Sequence, residues 1–406
     1  MNQIFDPLPR AVYICPGDPY ASPRGGQTAF AVQALNAFGG DFALVAPDEL
    51  GNAPIGVWFR DAWNGAPIWR FNLGAYAPNV KSRRPLIPRR LVFRRLVAKH
   101  LRAISEAPVD NVFCDSPEIL GILRRRRWNS FCYRFAGLNN PVAVSRYPML
   151  RCFAKAFHRV MINNLKALRP DALLASADRE TIADFERRNP DLISVRKLDF
   201  FPTRFDPTIF QPGDPDAARQ ELGWRDARPR LLIVGRLCWI KGWRLALETV
   251  AELKNDYPKI SLRFVGDGED RAALEKAASE LGVADAVIID GFLSPREVQR
   301  RLVAADLFLV ASYKEGWSCA FAEALGCGKA CVSTSVSGAS DMIQEGRNGY
   351  IVKSRDPREF AQAIRQTLAL LETSDDVAAT SLRLSKQYSL DLMAKEWRKL
   401  WRPLNR

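Results

Sequence analysis

Short apolar runs alternate with helix-patterned segments through both halves of the 406-residue chain, and this alternation limits the fold more than any other feature. In the first half the strand-like runs are 11–15, 42–46, 112–114, 130–135, 172–176 and 193–198, and helices are predicted over 26–38, 117–124, 149–168 and 179–188. In the second half strands are predicted over 230–234, 261–265, 286–289, 307–311, 330–334 and 350–352, and helices over 243–255, 270–281, 295–304, 319–325 and 357–371. Neighbouring parallel strands need a crossover, usually a helix, so two such series predict two Rossmann-like α/β domains with parallel sheets. Ser294-Pro295-Arg296-Glu297 and Asp356-Pro357-Arg358-Glu359 each supply a capping side chain, a proline at the first helical position and a glutamate at the third. Pro202, Pro207, Pro212, Pro215 and Pro229 mark the connection between the halves.

The halves differ in charge. Of 59 Lys+Arg and 45 Asp+Glu, residues 1–200 hold 29 and 17, which leaves most of the net charge of +14 in the first half. Nine basic residues fall within 81–102, and no acid occurs over 62–105. After Pro88 the pattern predicts a helix with Arg90, Arg94, Arg95, Lys99 and Arg102 on one face. Leu91, Val92, Leu96, Val97, Leu101 and Ile104 form the other, and Trp58, Phe59, Trp63 and Trp69 lie upstream. A basic amphipathic helix beside exposed aromatics suits an anionic membrane surface. It equally suits a solvated face packed by its apolar side onto its own domain. Basic charge alone would serve nucleic acid, but the sequence shows no helix-turn-helix, zinc-finger or RNA-binding aromatic motif, so no nucleic acid is expected. Arg124–Arg127 reads more simply as a helix end interacting with its own dipole.

No apolar run reaches the ~18 residues of a membrane span, and residues 1–18 lack the basic and apolar regions of a secretory signal. Eight scattered cysteines without a Cys-x-x-Cys pair predict reduced, buried thiols in a cytosolic protein. Two histidines leave little room for a multi-histidine metal site, and no metal is expected.

Ligands of such domains bind beyond the carboxyl ends of parallel strands, so two domains facing a cleft should carry their chemistry on strand-to-helix turns. Three turns qualify. Gly235-Arg236-Leu237 with Lys241-Gly242 follows a predicted strand, and two cations there suit a diphosphate, the arginine able to pair bidentately. Glu315-Gly316-Trp317-Ser318 leads into Cys319-Ala320-Phe321-Ala322-Glu323; Ser318 is placed to cap a helix whose amino end attracts phosphate. Glu323 sits in an apolar run, where an unpartnered carboxylate is costly. Gly25-Gly26-Gln27 lies between the first strand and the first helix, a tight loop or an anion site. No complete Gly-x-Gly-x-x-Gly is present.

The order GRL-x3-KG, VGDGED, DGFLSPREV, EGWSCAFAEALGCGK and SGASDMIQEGRNGYIV resembles the family 4 glycosyltransferases, retaining enzymes of the GT-B fold, over about residues 229–370. Over 1–200 the resemblance is looser. It implies an acceptor-binding domain at 1–200, a nucleotide-sugar donor-binding domain at 201–385, and a final segment, 386–406, whose helix packs back on the first domain. It also implies that Arg236 and Lys241 bind the diphosphate, that Glu315 contacts the transferred sugar and that Glu323 binds the ribose hydroxyls. Backbone groups of Gly316, Trp317 and Ser318 would meet sugar and phosphates, Gly25 and Gly26 would lie beneath the diphosphate, and groups around Gly235, Gly266 and Phe292 would complete the donor site. Many relatives carry a histidine just before a glycine after a strand of the first domain; here the segment reads Tyr133-Arg134-Phe135-Ala136-Gly137, and Arg134 or Asn139 would take its place. The expected donor is a UDP- or GDP-linked sugar, with no cofactor and no metal. The expected acceptor is a glycan, lipid-linked, in capsule, exopolysaccharide or lipopolysaccharide assembly at the inner membrane face. The alternatives are a nucleotide-sugar epimerase of the same fold and a basic nucleic-acid-binding protein.

Overall fold

The computed structural model describes residues 8–21, 26–76, 87–106, 109–138, 140–143 and 148–405. The chain divides into two compact units, one made of residues 1–203 and 391–406, the other of residues 204–390.

The first unit is built on strands β1 (Ala11–Ile14), β2 (Phe42–Ala46), β3 (Trp58–Trp63), β4 (Ala66–Asn72), β5 (Asn111–Cys114), β6 (Ser130–Phe135), β7 (Ala172–Ala175) and β8 (Leu198–Phe200), in the sheet order β3-β4-β2-β1-β5-β6-β7-β8. All pairings are parallel except β3–β4. That antiparallel hairpin is absent from the sequence reading. It turns at Asn64 and Gly65, both with positive φ (49° and 82°), the backbone that a two-residue hairpin loop requires. The strand expected over 193–198 begins later, at Leu198: Pro190 is preset for a helix start, and Pro190–Ile193 is a short helix instead. The helix expected from Met149 is a 3-10 turn to Phe153 and α-helical only over Ala154–Leu168.

The aromatic residues upstream of the basic helix are not an exposed set. Trp58 and Trp69 are buried, and the Trp58 indole donates to the Ala103 carbonyl at 3.1 Å, fastening the hairpin to helix Arg89–Ile104. That helix turns Phe93, Val97, Leu101 and Ile104 into the core, while Leu91, expected on the apolar face, is exposed. Its apolar side therefore packs on its own domain, and its basic side faces water. Residues 81–86 of the basic run, like Gly25 and Asn139, lie outside the described residues. The terminal helix Met393–Leu400 belongs to the first unit, where Trp397 is buried among Phe38, Phe42, Phe113 and Phe201.

The second unit holds β9 (Arg230–Val234), β10 (Ser261–Val265), β11 (Val287–Gly291), β12 (Leu307–Val310), β13 (Ala330–Thr334) and β14 (Gly349–Val352), all parallel, in the order β11-β10-β9-β12-β13-β14. Helices Trp243–Leu253, Pro295–Ala304 and Pro357–Thr373 lie close to their expected positions. Ser294 completes a reciprocal capping box with Glu297; at Asp356 the side chain caps Arg358 N alone. The proline-rich connection contains a helix that the sequence reading omits, Pro215–Glu221, capped by Asp214.

All eight cysteines are free thiols, but the expectation that they are buried fails at Cys152, which is exposed, and at Cys319, which is partly so.

Candidate active site

The site forms in the second unit where β9 and β12 end. After β9 the chain passes through Gly235 and Arg236 to the short 3-10 turn Trp239–Lys241, which ends on Gly242 with φ +68°. A side chain at Gly242 would collide with the Ala311 carbonyl oxygen, 1.8 Å from an added Cβ, so this turn lies directly against the end of β12. Gly266, at the end of β10, is packed the same way on the Gly235 carbonyl, 2.1 Å from an added Cβ. These close backbone approaches bring loops of different strands together.

They also bring together two residues 74 positions apart. Lys241 Nζ donates to Glu315 Oε1 at 2.7 Å, and Ser312 Oγ donates to the same oxygen at 2.6 Å. Glu315 is mostly enclosed, its side chain 9 % exposed against 29 % for Lys241. Lys241, Ser312, Glu315 and Ser318 share a cavity of about 10 Å³ with the ends of β9 and β12, room for about one water. Arg236, which precedes the Trp239–Lys241 turn, is exposed and does not line that cavity.

The loop bearing Glu315 is held by a residue that the sequence reading missed. Arg355, after β14, donates to the carbonyls of Ala311 (3.0 Å) and Ser312 (3.1 Å), and its guanidinium lies 3.4 Å from the centre of the Tyr313 ring. Thr334 Oγ1 donates to the Ser312 carbonyl as well, at 2.7 Å. Trp239 and Tyr313, both exposed, flank the Lys241 turn with ring centres 5.6 Å apart.

Ser318 caps helix Cys319–Gly326, its Oγ accepting from Phe321 N at 3.3 Å. The helix therefore presents its positive end beside Glu315. Trp317 offers this site only backbone, because its ring is buried against Tyr388, centres 5.0 Å apart. Glu323 lies one turn inside the helix. As a residue it is half-buried, but its carboxyl is enclosed by protein, and burial alone pushes it up to about 7. Phe292 stands exposed after β11. Gly26 opens the first helix of the other unit, with open space where a side chain would go.

Arg134, offered as a stand-in for the missing histidine, is committed elsewhere. It is buried, donates to the Phe201 carbonyl (3.2 Å) and to Thr203 Oγ1 (2.7 Å), and stacks on Phe30 at 3.7 Å. Beside it in the first unit, burial outweighs the pull of the Arg134 guanidinium and pushes the Asp115 carboxyl up to about 7.

Residues 214–382 match the family model described as "Glycosyl transferases group 1". The matched residues lie within the second unit. The chain is similar to a D-inositol 3-phosphate glycosyltransferase of Stackebrandtia nassauensis, 32% identical over 222 residues, which cover 51% of this chain and 48% of that protein. It spans about half the length of the curated relatives it matches. Among solved structures it resembles sucrose-phosphate synthase from Thermosynechococcus elongatus, with a TM-score of 0.78 at 19% identity over 98% of this chain and 99% of the other. It also resembles Anabaena Alr3699/HepE in complex with UDP-glucose, with a TM-score of 0.69 at 16% identity over 96% and 98%. The fold is that of the GT-B glycosyltransferases, with one mixed and one parallel sheet.

Proposed function

We propose that the protein is a family 4 glycosyltransferase that moves a sugar from a UDP- or GDP-linked donor to a glycan acceptor with retention. The observation that carries this is the convergence of Lys241 and Glu315 at the carboxyl ends of β9 and β12, inside the region that matches the group 1 family. A solved neighbour that holds UDP-glucose supports a nucleotide-sugar donor.

In such a transfer the bond between the anomeric carbon and the diphosphate oxygen breaks, and negative charge grows on the diphosphate. Lys241, Arg236 and the amino end of helix Cys319–Gly326 stabilise that charge. Fixed donors of this kind each contribute ~3–4 kcal/mol where comparable ones have been removed. Glu315, oriented by Lys241 and Ser312, accepts hydroxyl protons of the transferred sugar. Glu323 accepts those of the ribose, and backbone at Gly235, Gly266, Gly316, Trp317, Ser318 and Phe292 lines the donor. In a same-face attack the acceptor hydroxyl gives its proton to the departing phosphate oxygen. No step calls for a metal.

The acceptor we propose is a lipid-linked glycan of bacterial polysaccharide assembly, bound by the first unit, with Gly25 and Gly26 serving the diphosphate. Arg94, Arg95, Lys99 and Arg102 on the water-facing side of helix Arg89–Ile104 would draw the chain to an anionic membrane surface. Among the described residues no helix is long and apolar enough to cross a membrane.

The test is nucleoside diphosphate release from a panel of UDP- and GDP-sugars with glycan acceptors. Release that depends on donor and acceptor together supports the reading. A changed sugar in the absence of acceptor would show an epimerase, and no turnover with any donor would remove the proposal.

A further inference from the structure

The segment that follows β6 carries an apolar surface that the packing leaves uncovered. Met149, Phe153 and Val160 are 86 %, 61 % and 57 % exposed, among the largest exposures of big hydrophobic side chains in the described residues. On helix Ala154–Leu168 and the turn before it, Phe153, Ala156 and Val160 fall within about 60° of one another at 3.6 residues per turn, so they form one stripe. The opposite face is the one that packs: Met161, Ile162 and Leu165 are buried in the domain core. Arg159 lies about 60° beyond Ala156 at the edge of the stripe, whereas Lys155 sits farther round the helix near the angle of Ile162; both are exposed, and neither forms an ion pair among the described residues. The sequence contains no Asp or Glu from residue 119 to residue 170, a span with eleven Lys and Arg.

Large apolar side chains grouped on one exposed side, rather than scattered singly, mark a contact surface. Its chemistry selects the occupant. Arg159 at the edge of the stripe and a stretch of chain without acids of its own, the neighbouring Asp191 being paired with Lys166, disfavour another copy of the same basic surface and complement an anionic one, while the apolar stripe needs a partner into which side chains can sink. We propose that Met149, Phe153 and Val160 enter the interfacial region of an anionic lipid bilayer, with Arg159 on its headgroups. Helix Arg89–Ile104 cannot supply this insertion, because its large apolar residues other than Leu91 pack against the core. The inference deepens the reading that the chain works at an anionic membrane, and names the part that enters it.

The experiment uses the full chain with phosphatidylglycerol-containing and pure phosphatidylcholine vesicles in a sedimentation assay. The triple variant Met149→Ser/Phe153→Ser/Val160→Ser is expected to lose at least about tenfold in affinity for anionic vesicles. Its melting temperature and donor-dependent turnover on a water-soluble acceptor should match the wild type, since the side chains are exposed. In a separate variant, Phe153→Trp, emission should shift to the blue with anionic vesicles and not with neutral ones. If the wild type binds anionic vesicles and the triple variant binds equally well, this insertion face is wrong while the membrane reading stands. If the wild type binds no vesicle, both fall. A concentration-dependent dimer that the triple variant abolishes, with no vesicle binding, would assign the stripe to a second copy and overturn the proposal.

Discussion

Lys241 Nζ and Ser312 Oγ both donate to Glu315 Oε1, at 2.7 and 2.6 Å, so the carboxylate proposed to hold the transferred sugar is already oriented by the lysine proposed to hold the diphosphate. Removing either partner therefore disturbs both tasks. Lys241→Ala and Glu315→Ala should each lower turnover by at least ~100-fold. Because the two act on one another, the double variant should lose far less than the product of the single losses. Steady-state release of nucleoside diphosphate checks this, and independent, multiplicative losses would contradict the coupling.

Arg355 lies outside the donor-binding cluster yet fixes its geometry by holding the carbonyls of Ala311 and Ser312. Arg355→Ala should reduce kcat by about 10- to 100-fold through misplacement of Glu315. The donor dissociation constant should change much less, because Arg236 and Lys241 are untouched. Arg355→Lys should restore little, since lysine cannot make both bonds and stack on Tyr313. Titration calorimetry with the nucleoside diphosphate beside the kinetics separates the two effects.

Much of the second unit could be read in advance because its chemistry lies at strand ends within short, fixed spacings. Gly235, Lys241 and Gly242 follow one apolar run, and Glu315 follows another. Arg355 could not be read, since its contacts with Ala311 and Ser312 span more than forty residues and no local pattern marks them. In the first unit the hairpin was signalled by Asn64-Gly65, but the surrounding tryptophans suggested a surface. Burial of Trp58 and Trp69 depends on the helix packed over them, which no periodicity of their own strands reveals. Arg134 misled for a related reason: an arginine beside the expected histidine position looks available until Phe201 and Thr203, almost seventy residues on, are seen to bind it.

Glu323 gives a pH prediction with a definite sign. Burial raises its folded pKa to about 7 from an ordinary value of 4.5, so between these values the folded state holds a proton that the unfolded state has lost. Stability from this group is complete below about 4.5 and is lost as pH rises through 7. Glu323→Gln cannot ionise, so its melting temperature should gain on the wild type from pH 5 to pH 8. The difference should be on the order of 1–3 kcal/mol. The same variant should bind donor more weakly, because the amide is a poorer acceptor for ribose hydroxyls. Parallel melting curves of the two proteins across that pH range would refute the buried carboxyl.

The terminal helix is expected to be a structural part of the first unit. Trp397 is fully buried, its ring 4.6 Å from Phe113, 5.2 Å from Phe201 and 5.3 Å from Phe42. Trp401 anchors the same segment by donating to Ser130 Oγ at 2.7 Å. Trp397→Ala should therefore cost about 3–5 kcal/mol, the usual range for emptying a large buried aromatic site. Deleting residues 391–406 would uncover the whole aromatic face and should give a first unit that binds a hydrophobic dye and resists little protease, while residues 204–390 keep their nucleotide affinity. The readout is limited proteolysis with and without nucleoside diphosphate. A protease-resistant first unit in the deletion variant would show that the helix is dispensable to that core.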